Sequence, residues 1–138
     1  MLFFNFKMRL LVGIIASDND EYQVKAQKVW KKYMNKNENI QSYFLKIDNT
    51  KPDLSFDRET FSCQSEFENE NTHNMVIKTL KFMQVMLQND SWDYMLRTNL
   101  SSVFKWDTVL SLLHQNQHFI YVVKCLMNPY YVLFMNCQ

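Results

Sequence analysis

The sequence predicts an α/β domain with a largely parallel sheet and flanking helices. Residues 9–17 (RLLVGIIAS) are apolar almost throughout, which is typical of a central strand covered on both faces. After this strand, segments alternate in the order helix, strand, strand, helix, strand, helix, which favours a parallel sheet. The chain has 138 residues, of which 47% are apolar, so it is long enough for one domain with one core.

The first helix is predicted directly after the first strand. Asp18, Asn19 and Asp20 are residue types that cap helix N-termini. In residues 21–34, apolar side chains recur every three or four positions and lysines occupy the other face, which predicts an amphipathic helix. The predicted apolar face consists of Tyr22, Ala26, Val29, Trp30 and Tyr33.

Two strands and a loop are predicted next. Residues 42–48 (SYFLKID) alternate in character and predict the second strand. Residues 49–57 contain Pro52 and predict a loop, and residues 59–65 predict a weak third strand.

The second half of the predicted domain contains two helices around a short strand. Residues 71–88 predict the second helix, and residues 104–113 predict the third. Between them, residues 93–98 predict a strand and residues 99–102 a polar loop. The apolar stripe of the second helix is predicted as Met75, Leu80, Met83 and Leu87, widened by Val76, Ile77 and Met86.

The composition changes towards the carboxyl end of the chain. Residues 108–138 contain one formally charged side chain, Lys124. We therefore predict one domain at 9–113 and an atypical apolar tail at 114–138, in which residues 119–126 favour one more strand. A tail of this composition is what a truncated chain or a shifted reading frame would produce.

The balance of charges and the number and spacing of the cysteines argue against several classes of function. Lys and Arg number 15 and Asp and Glu 14, so no net positive field is present to hold a nucleic acid. The three cysteines match neither a disulfide framework nor a zinc pattern. Reduced thiols favour the cytoplasm over the secretory pathway.

The amino-terminal segment, residues 1–17, is rich in apolar residues but does not predict a membrane span. Lys7 and Arg9 interrupt it, and the acidic residues after Ser17 end it, so we interpret it as a leader that runs into a buried strand. Gly13 is the single glycine of the chain, which excludes the glycine-rich loops that bind phosphates.

Two predicted strand ends carry polar residues, and in an open parallel sheet ligands bind at the carboxyl ends of the strands. The first group is Ser17, Asp18 and Asn19, where a helix N-terminus also offers backbone N–H groups. Asp18 or Asp20 is a candidate to bind a ribose or a base, and the alternative is that these residues only cap the helix. The second group is the hexapeptide RTNLSS, residues 97–102.

The region around this hexapeptide resembles a known family. Residues 74–90 (NMVIKTLKFMQVMLQND) and 92–113 (WDYMLRTNLSSVFKWDTVLSLL) are similar to the part of β-1,3-galactosyltransferase-like GT-A enzymes in which a helix with a Lys-Thr-Leu core precedes a Tyr-containing strand and the metal-binding Asp-x-Asp. The same region also resembles viral glycosyltransferase-like proteins with an Arg-Thr-Asn-Leu-Ser-Ser loop.

This resemblance implies that residues 9–113 form a nucleotide-sugar-binding domain, the amino-terminal half of a Rossmann-like GT-A fold. It further implies that a sugar is transferred from a nucleotide diphosphate donor, with a uridine diphosphate sugar as one candidate, to a hydroxyl of a glycan or protein acceptor. The catalytic base of such enzymes is expected in their carboxyl-terminal half, so no base is named. The implied donor site consists of Ser17, Asp18, Asn19, Arg97, Thr98, Asn99 and Ser101.

The sequence departs from the family at the metal site. Asn99 and Ser101 stand where the two carboxylates of the Asp-x-Asp are expected. Neutral oxygens bind a hard divalent cation far more weakly than carboxylates do, so we predict no metal ligand here. Arg97 is the candidate that meets the charge of the diphosphate in place of the metal.

Three alternatives stay open at this point. Arg97 pairs with Asp93 or a loop carboxylate instead of a ligand. Thr98 and Ser101 close a turn or cap the next helix. In the third alternative, the chain is a non-catalytic remnant of a glycosyltransferase that acts as a binding or interaction domain.

Overall fold

A computed structural model describes residues 9–67, 72–88 and 92–115, together with the backbone of residues 122–124 and 131–136. The secondary-structure elements, in chain order, are β1 (Leu10–Ile15), α1 (Glu21–Trp30), β2 (Ile40–Ile47), β3 (Ser55–Asp57), β4 (Thr60–Cys63), α2 (Thr72–Leu87), β5 (Tyr94–Asn99), α3 (Trp106–Gln115), β6 (Val122–Lys124) and β7 (Tyr131–Asn136).

The strands form one sheet in the order β3-β4-β2-β1-β5-β7-β6. The four central strands, β4, β2, β1 and β5, are parallel. The outer strands β3, β7 and β6 each run antiparallel to their neighbour. The predicted α/β fold with a mostly parallel sheet and flanking helices is therefore confirmed.

Helices cover both faces of the sheet. Because side chains alternate along a strand, the even-numbered residues of β1 face one layer and the odd-numbered ones the other. The first layer contains α1 and α3, with Trp30 and Leu113 packed against Leu10, Val12 and Ile14. The second layer contains α2, with Phe82 and Met86 packed against Leu11 and Ile15.

The order of the parallel strands creates a crevice at the carboxyl end of β1. From β1 the chain moves outward through β2 to β4, and α2 then returns it to β5 on the other side of β1. Ile15 is paired with Leu45 on one side and with Asn99 on the other, so the loops after β1 and β5 begin next to each other. Such a reversal is the point where open α/β sheets bind ligands.

Helix α2 is rotated relative to the prediction. Its buried residues are Asn74, Lys78, Phe82 and Met86, which are spaced four apart, whereas the side chains of Leu80 and Leu87 are 57% and 50% exposed. The predicted stripe was wrong for these two leucines and for Val76, which is also exposed. The reason is that the first half of α2 lies over the polar ends of the strands, where polar side chains face the sheet.

Helix α1 is also rotated. Tyr22 and Val29 were predicted on the apolar face, but both are exposed, and the buried residues of this helix are Gln27 and Trp30. Ala26 and Tyr33 pack against the core as predicted. The buried amide of Gln27 is held by a hydrogen bond from Nε2 to the carbonyl oxygen of Ser17 at 2.9 Å, which is the partner that a buried polar group requires.

Strand β3 lies within the segment that was predicted to be a loop. It forms a hairpin with β4, in which Phe56 is paired with Phe61, and the Phe56 ring contacts the rings of Tyr43 and Phe61. Strand β7 was not predicted either. Of the predicted strand at 119–126, residues 122–124 form β6 and the remaining residues lie outside the described ones. The boundary after residue 113 stays a prediction.

The turn between β3 and β4 gives the first testable prediction. Arg58 is exposed and has a φ of 48°, in the left-handed region where a side chain clashes with the backbone. Replacing Arg58 with Gly relieves this strain, and after the entropy that glycine adds to the unfolded chain we expect a net gain of about 0.5 to 1 kcal/mol in unfolding free energy. Urea denaturation followed by circular dichroism measures this change in unfolding free energy. Lys36→Gly, at an exposed position without positive φ, is the control and is expected to destabilise the protein. A lower unfolding free energy for both variants would contradict the prediction.

Candidate functional site

The polar residues in the loop after β1 have different structural roles. Asp20 is the N-cap of α1, because its Oδ1 accepts a hydrogen bond from the backbone N–H of Gln23 at 2.8 Å. The Oγ of Ser17 accepts the N–H of Asn19 at 3.1 Å, which shapes the turn between strand and helix. Capping is therefore done by Asp20 and leaves Asp18 for another role.

Asp18 is held in its charged form by basic and amide side chains. Lys46 Nζ donates to both carboxylate oxygens at 2.9 Å, and Gln27 Nε2 donates to Oδ1 at 3.1 Å. Burial alone would raise the pKa of Asp18, but the hydrogen bonds from Lys46 and Gln27 and the charges of Lys46 and Lys31 outweigh it, so the pKa is lowered. A fixed negative charge thus stands directly after β1.

Asp18 lies in the wall of a pocket of about 230 Å³. The pocket is at the carboxyl ends of β1 and β2 and faces the first turn of α2. It is smaller than the roughly 300–1,000 Å³ typical of pockets for drug-sized ligands, so it holds only part of a ligand of that size. The lining residues are Ser17, Asp18, Asn19, Lys46, Ile47, Asp48, Asn49, Phe67 and Asn74.

Hydrogen bonds within the β2–β4 connection fix one rim of the pocket. Asp48 Oδ1 accepts the hydroxyl of Thr50 at 2.6 Å and its N–H at 3.0 Å, and these bonds lower the pKa of Asp48. Asn49 and Ser65 exchange two hydrogen bonds: Asn49 Nδ2 donates to the Ser65 carbonyl at 3.0 Å, and the Ser65 N–H donates to Asn49 Oδ1 at 2.9 Å. The rim is therefore held in place before any ligand arrives.

Two buried polar residues of α2 anchor the opposite side. Lys78 is fully buried, and its Nζ donates to the carbonyl oxygen of Ala16 at 2.8 Å, directly below Ser17. One turn earlier, Asn74 Nδ2 donates to the carbonyl oxygen of Phe67 at 3.1 Å. These contacts tie α2 to the backbone at the end of β1 and to the segment after β4.

The loop after β5 is closed by the side chain of Asn99, the last residue of that strand. Asn99 Oδ1 accepts hydrogen bonds from the Ser101 hydroxyl at 2.7 Å, the Ser101 N–H at 3.2 Å and the Ser102 hydroxyl at 3.3 Å. From α1, Trp30 Nε1 donates to the carbonyl oxygen of Leu100 at 2.9 Å. The turn is thus closed by Asn99, and Ser101 takes part in it as a hydrogen-bond donor.

Arg97 is a half-buried cation that forms no hydrogen bond or ion pair with any residue in the described part of the chain. The alternative partner, Asp93, instead accepts the backbone N–H of Arg9 at 2.8 Å and lies 3.6 Å from its Nε. Burial lowers the pKa of Arg97, because desolvation disfavours the charged guanidinium. Met95 packs with α2, so Arg97, two residues later, faces the same side of the sheet.

Thr98 faces the opposite side of the sheet. Its neighbours in the alternation, Leu96 and Leu100, belong to the core beneath α1 and α3, and Thr98 is 1% exposed. Its hydroxyl has no hydrogen-bond partner among the residues that the structure describes.

The predicted site residues are therefore divided into three groups. Ser17, Asp18 and Asn19 line the pocket. Arg97, Asn99 and Ser101 lie on the adjacent strand β5 or in its loop, outside the lining, and Thr98 is buried under α1 and α3.

Six lining residues are absent from the predicted site: Lys46, Ile47, Asp48, Asn49, Phe67 and, from α2, Asn74. The polar residues at the end of the second strand, Asp48 and Asn49, carry the same signal as Ser17 to Asn19, because they stand at the carboxyl end of a predicted strand. Phe67 and Asn74 carry no such signal, since only the packing of α2 brings them to the strand ends.

Asn99 and Ser101 do not fit a divalent cation. Ser101 is neutral, and the one amide oxygen of Asn99 already accepts three hydrogen bonds. Over the residues whose side chains the structure describes, no three His, Cys, Asp or Glu side chains are grouped so that they could hold a metal ion. No chemical step is therefore assigned to a metal at this loop.

Comparison with known proteins gives no match: no family model, no curated protein and no solved structure is similar to this chain. Within the helices that the structure describes, none is long and apolar enough to cross a membrane.

Proposed function

We propose that this chain is the donor-binding half of a glycosyltransferase-like protein with a Rossmann-like GT-A fold. It binds a nucleotide diphosphate sugar, with uridine diphosphate sugars as first candidates, for transfer of the sugar to a hydroxyl of a glycan or protein acceptor. The nucleoside occupies the pocket after β1 and β2, and the diphosphate lies towards the end of β5.

The strand order supports this proposal. Numbered along the chain, the four parallel strands β1, β2, β4 and β5 lie in the order 3-2-1-4, which is the order in the first part of the dinucleotide-binding fold. In that fold the ligand crosses the point where the strand order reverses. Here this point lies between the loops that begin at Ala16 and Leu100.

The distribution of charge assigns the two parts of the ligand to different places. The N-terminus of α1 carries Asp18, Asp20 and Glu21, so it repels a phosphate although helix N-termini commonly bind anions. The Asp18 carboxylate and the Asn19 amide instead suit the hydroxyl and N–H groups of a nucleoside. The diphosphate is expected where positive charge is available.

The main support for the proposal is the environment of the Arg97 guanidinium. A half-buried guanidinium without an acceptor has lost part of its hydration, and no hydrogen bond or ion pair with the described residues compensates for this loss. The planar guanidinium of arginine donates paired hydrogen bonds to the oxygens of a phosphate, and the phosphate would neutralise this charge.

The proposal predicts that the protein binds uridine diphosphate without added metal. Isothermal titration calorimetry of the full chain, with and without manganese, measures this binding. Arg97→Gln is expected to weaken binding of uridine diphosphate about 10- to 150-fold, the equivalent of the roughly 1.5–3 kcal/mol of a hydrogen bond to a charged group. Uridine, which has no phosphate, is expected to bind equally well to both proteins.

Arg9→Gln is the matched control, because Arg9 lies at the amino-terminal edge of the sheet and pairs with Asp93. It is expected to leave binding of uridine diphosphate unchanged. If the unmodified protein does not bind uridine diphosphate at all, the proposed function is wrong. If Arg9→Gln and Arg97→Gln weaken binding equally, Arg97 has no specific role.

A second candidate function is binding without catalysis, and the closed loop after β5 favours it. Asn99 and Ser101 supply no charged metal ligand, so the leaving diphosphate lacks the cation that stabilises it in enzymes with an Asp-x-Asp. Release of uridine diphosphate from a uridine diphosphate sugar separates the two candidates. An active transferase releases it in the presence of an acceptor or of water, and a binding domain takes up the donor without turnover.

A further inference from the structure

Phe67 is the single aromatic side chain among the residues that line the pocket in the described part of the chain. One face of its ring is covered by the ring of His73, with a centroid distance of 5.0 Å and an angle of 20° between the planes. The side chain is only half-buried, and it forms part of the pocket wall. A flat apolar surface is therefore available inside an otherwise largely polar pocket.

The backbone of Phe67 is held on both sides. Its N–H donates to the Oγ of Ser65 at 3.2 Å, and its carbonyl oxygen accepts Nδ2 of Asn74 at 3.1 Å. Ser65 is itself bonded to Asn49, and Asn74 is 2% exposed. The ring is thus positioned before a ligand binds, so stacking on it costs little conformational entropy.

A nucleobase matches this arrangement better than a ribose or a phosphate does. A base presents a π-face that stacks on an aromatic ring, and its edge carries donors and acceptors. The pocket offers the complementary groups, since Asp18, Asn19 and Asn49 surround the same space as Phe67. A ribose has no π-face. A phosphate would meet the carboxylates of Asp18 and Asp48, and the lysine in the lining, Lys46, is already paired with Asp18.

We infer that Phe67 is the stacking platform for the nucleobase of the donor, backed by His73. This inference rests on the proposed function and adds the orientation of the ligand: the base lies innermost against Phe67, and the phosphates point out of the pocket.

The test compares ligands that contain the base with one that lacks it. Calorimetry with uridine, uridine diphosphate and inorganic pyrophosphate is carried out on the full chain and on Phe67→Ala and Phe67→Tyr. Phe67→Ala is expected to weaken binding of uridine and uridine diphosphate about 5- to 150-fold, the equivalent of the roughly 1–3 kcal/mol of one base stacked on an aromatic ring. Pyrophosphate binding stays unchanged, and Phe67→Tyr retains binding of all three.

Phe56→Ala is the control, because Phe56 is another partly exposed phenylalanine that lies on β3 outside the pocket lining. It is expected to leave uridine binding unchanged. If Phe67→Ala unfolds the protein, as circular dichroism would show, Phe67→Leu replaces it, since leucine keeps the apolar volume but has no π-face.

The outcomes separate this inference from the function on which it rests. If the unmodified protein binds none of the three ligands, the proposed function itself fails. If it binds uridine diphosphate and Phe67→Ala or Phe67→Leu binds it equally well, the function stands and the stacking role is wrong. An equal loss for pyrophosphate and uridine would also overturn the stacking role, because pyrophosphate has no base.

Discussion

Replacing Trp30 with alanine is expected to lower the free energy of unfolding by about 3 to 5 kcal/mol, the range measured when large aromatic residues are removed from cores. Trp30 is 1% exposed and packs against the rings of Tyr33, Phe104 and Trp106, at centroid distances of 5.1, 6.3 and 6.3 Å. Its loss leaves a cavity between α1 and the start of α3. Urea denaturation followed by far-ultraviolet circular dichroism measures the change.

Trp30→Phe separates the packing of this residue from its hydrogen bond. Phenylalanine keeps an aromatic ring but has no donor for the carbonyl oxygen of Leu100, so we expect a loss of about 0.5 to 1.5 kcal/mol from the hydrogen bond and some lost packing in addition. Hydrogen exchange of the backbone at residues 100–104 is expected to become faster in both variants. A loss below about 1 kcal/mol for Trp30→Ala would contradict the central position of this side chain.

Replacing Phe82 with alanine is expected to cost a similar amount, about 3 to 5 kcal/mol, because Phe82 is 1% exposed at the centre of the contact between α2 and the sheet. Gly13 allows this contact. A Cβ added at Gly13 would lie 2.9 Å from Phe82 Cε1 and 3.0 Å from Leu45 Cδ1, so Gly13→Ala is expected to destabilise by about 1 to 3 kcal/mol in the unmodified protein.

The two substitutions are expected to be coupled. With Phe82 replaced by alanine, the new Cβ at Gly13 enters space that the ring has left, so Gly13→Ala should cost less in that background than alone. The four unfolding free energies of this cycle measure the coupling. Leu80→Ala, on the exposed face of the same helix, is the control and is expected to change stability by less than about 0.5 kcal/mol. If the two substitutions lower the unfolding free energy additively, the ring of Phe82 does not limit the side chain at position 13.

The parts of the fold that depend on strong local signals could be predicted from the sequence. The apolar run of β1 and the alternation of segments indicate a buried parallel sheet, and both are present. Strand β3 could not be predicted, because it is three residues long and is stabilised by the rings of Tyr43 and Phe61 from other strands. The faces of α1 and α2 could not be predicted either. Apolar residues lie on several sides of α2, and the amides and the amine of Gln27, Asn74 and Lys78 are buried because backbone carbonyls accept their hydrogen bonds.

Part of the candidate site could also be predicted. The rule that ligands bind at strand ends selects Ser17, Asp18 and Asn19, and it would also have selected Asp48 and Asn49 after the second strand.

Side-chain alternation provides a further restriction that was available in the sequence. Arg97 and Thr98 are consecutive in a strand, so they cannot face the same side of the sheet. The structure has Thr98 in the core beneath α1 and α3, and Arg97 on the side of α2. Phe67 depends on the position of α2 relative to the sheet, which no local pattern encodes.

Helix α1 holds the loops after two neighbouring strands with side chains that are three residues apart: Gln27 donates to the carbonyl of Ser17, and Trp30 donates to the carbonyl of Leu100. Because one helix is hydrogen-bonded to both loops, we expect a displacement of α1 to shift them in the same direction. The width of the crevice between them is then expected to change little, so a molecule that bridges its two edges would meet a nearly constant spacing.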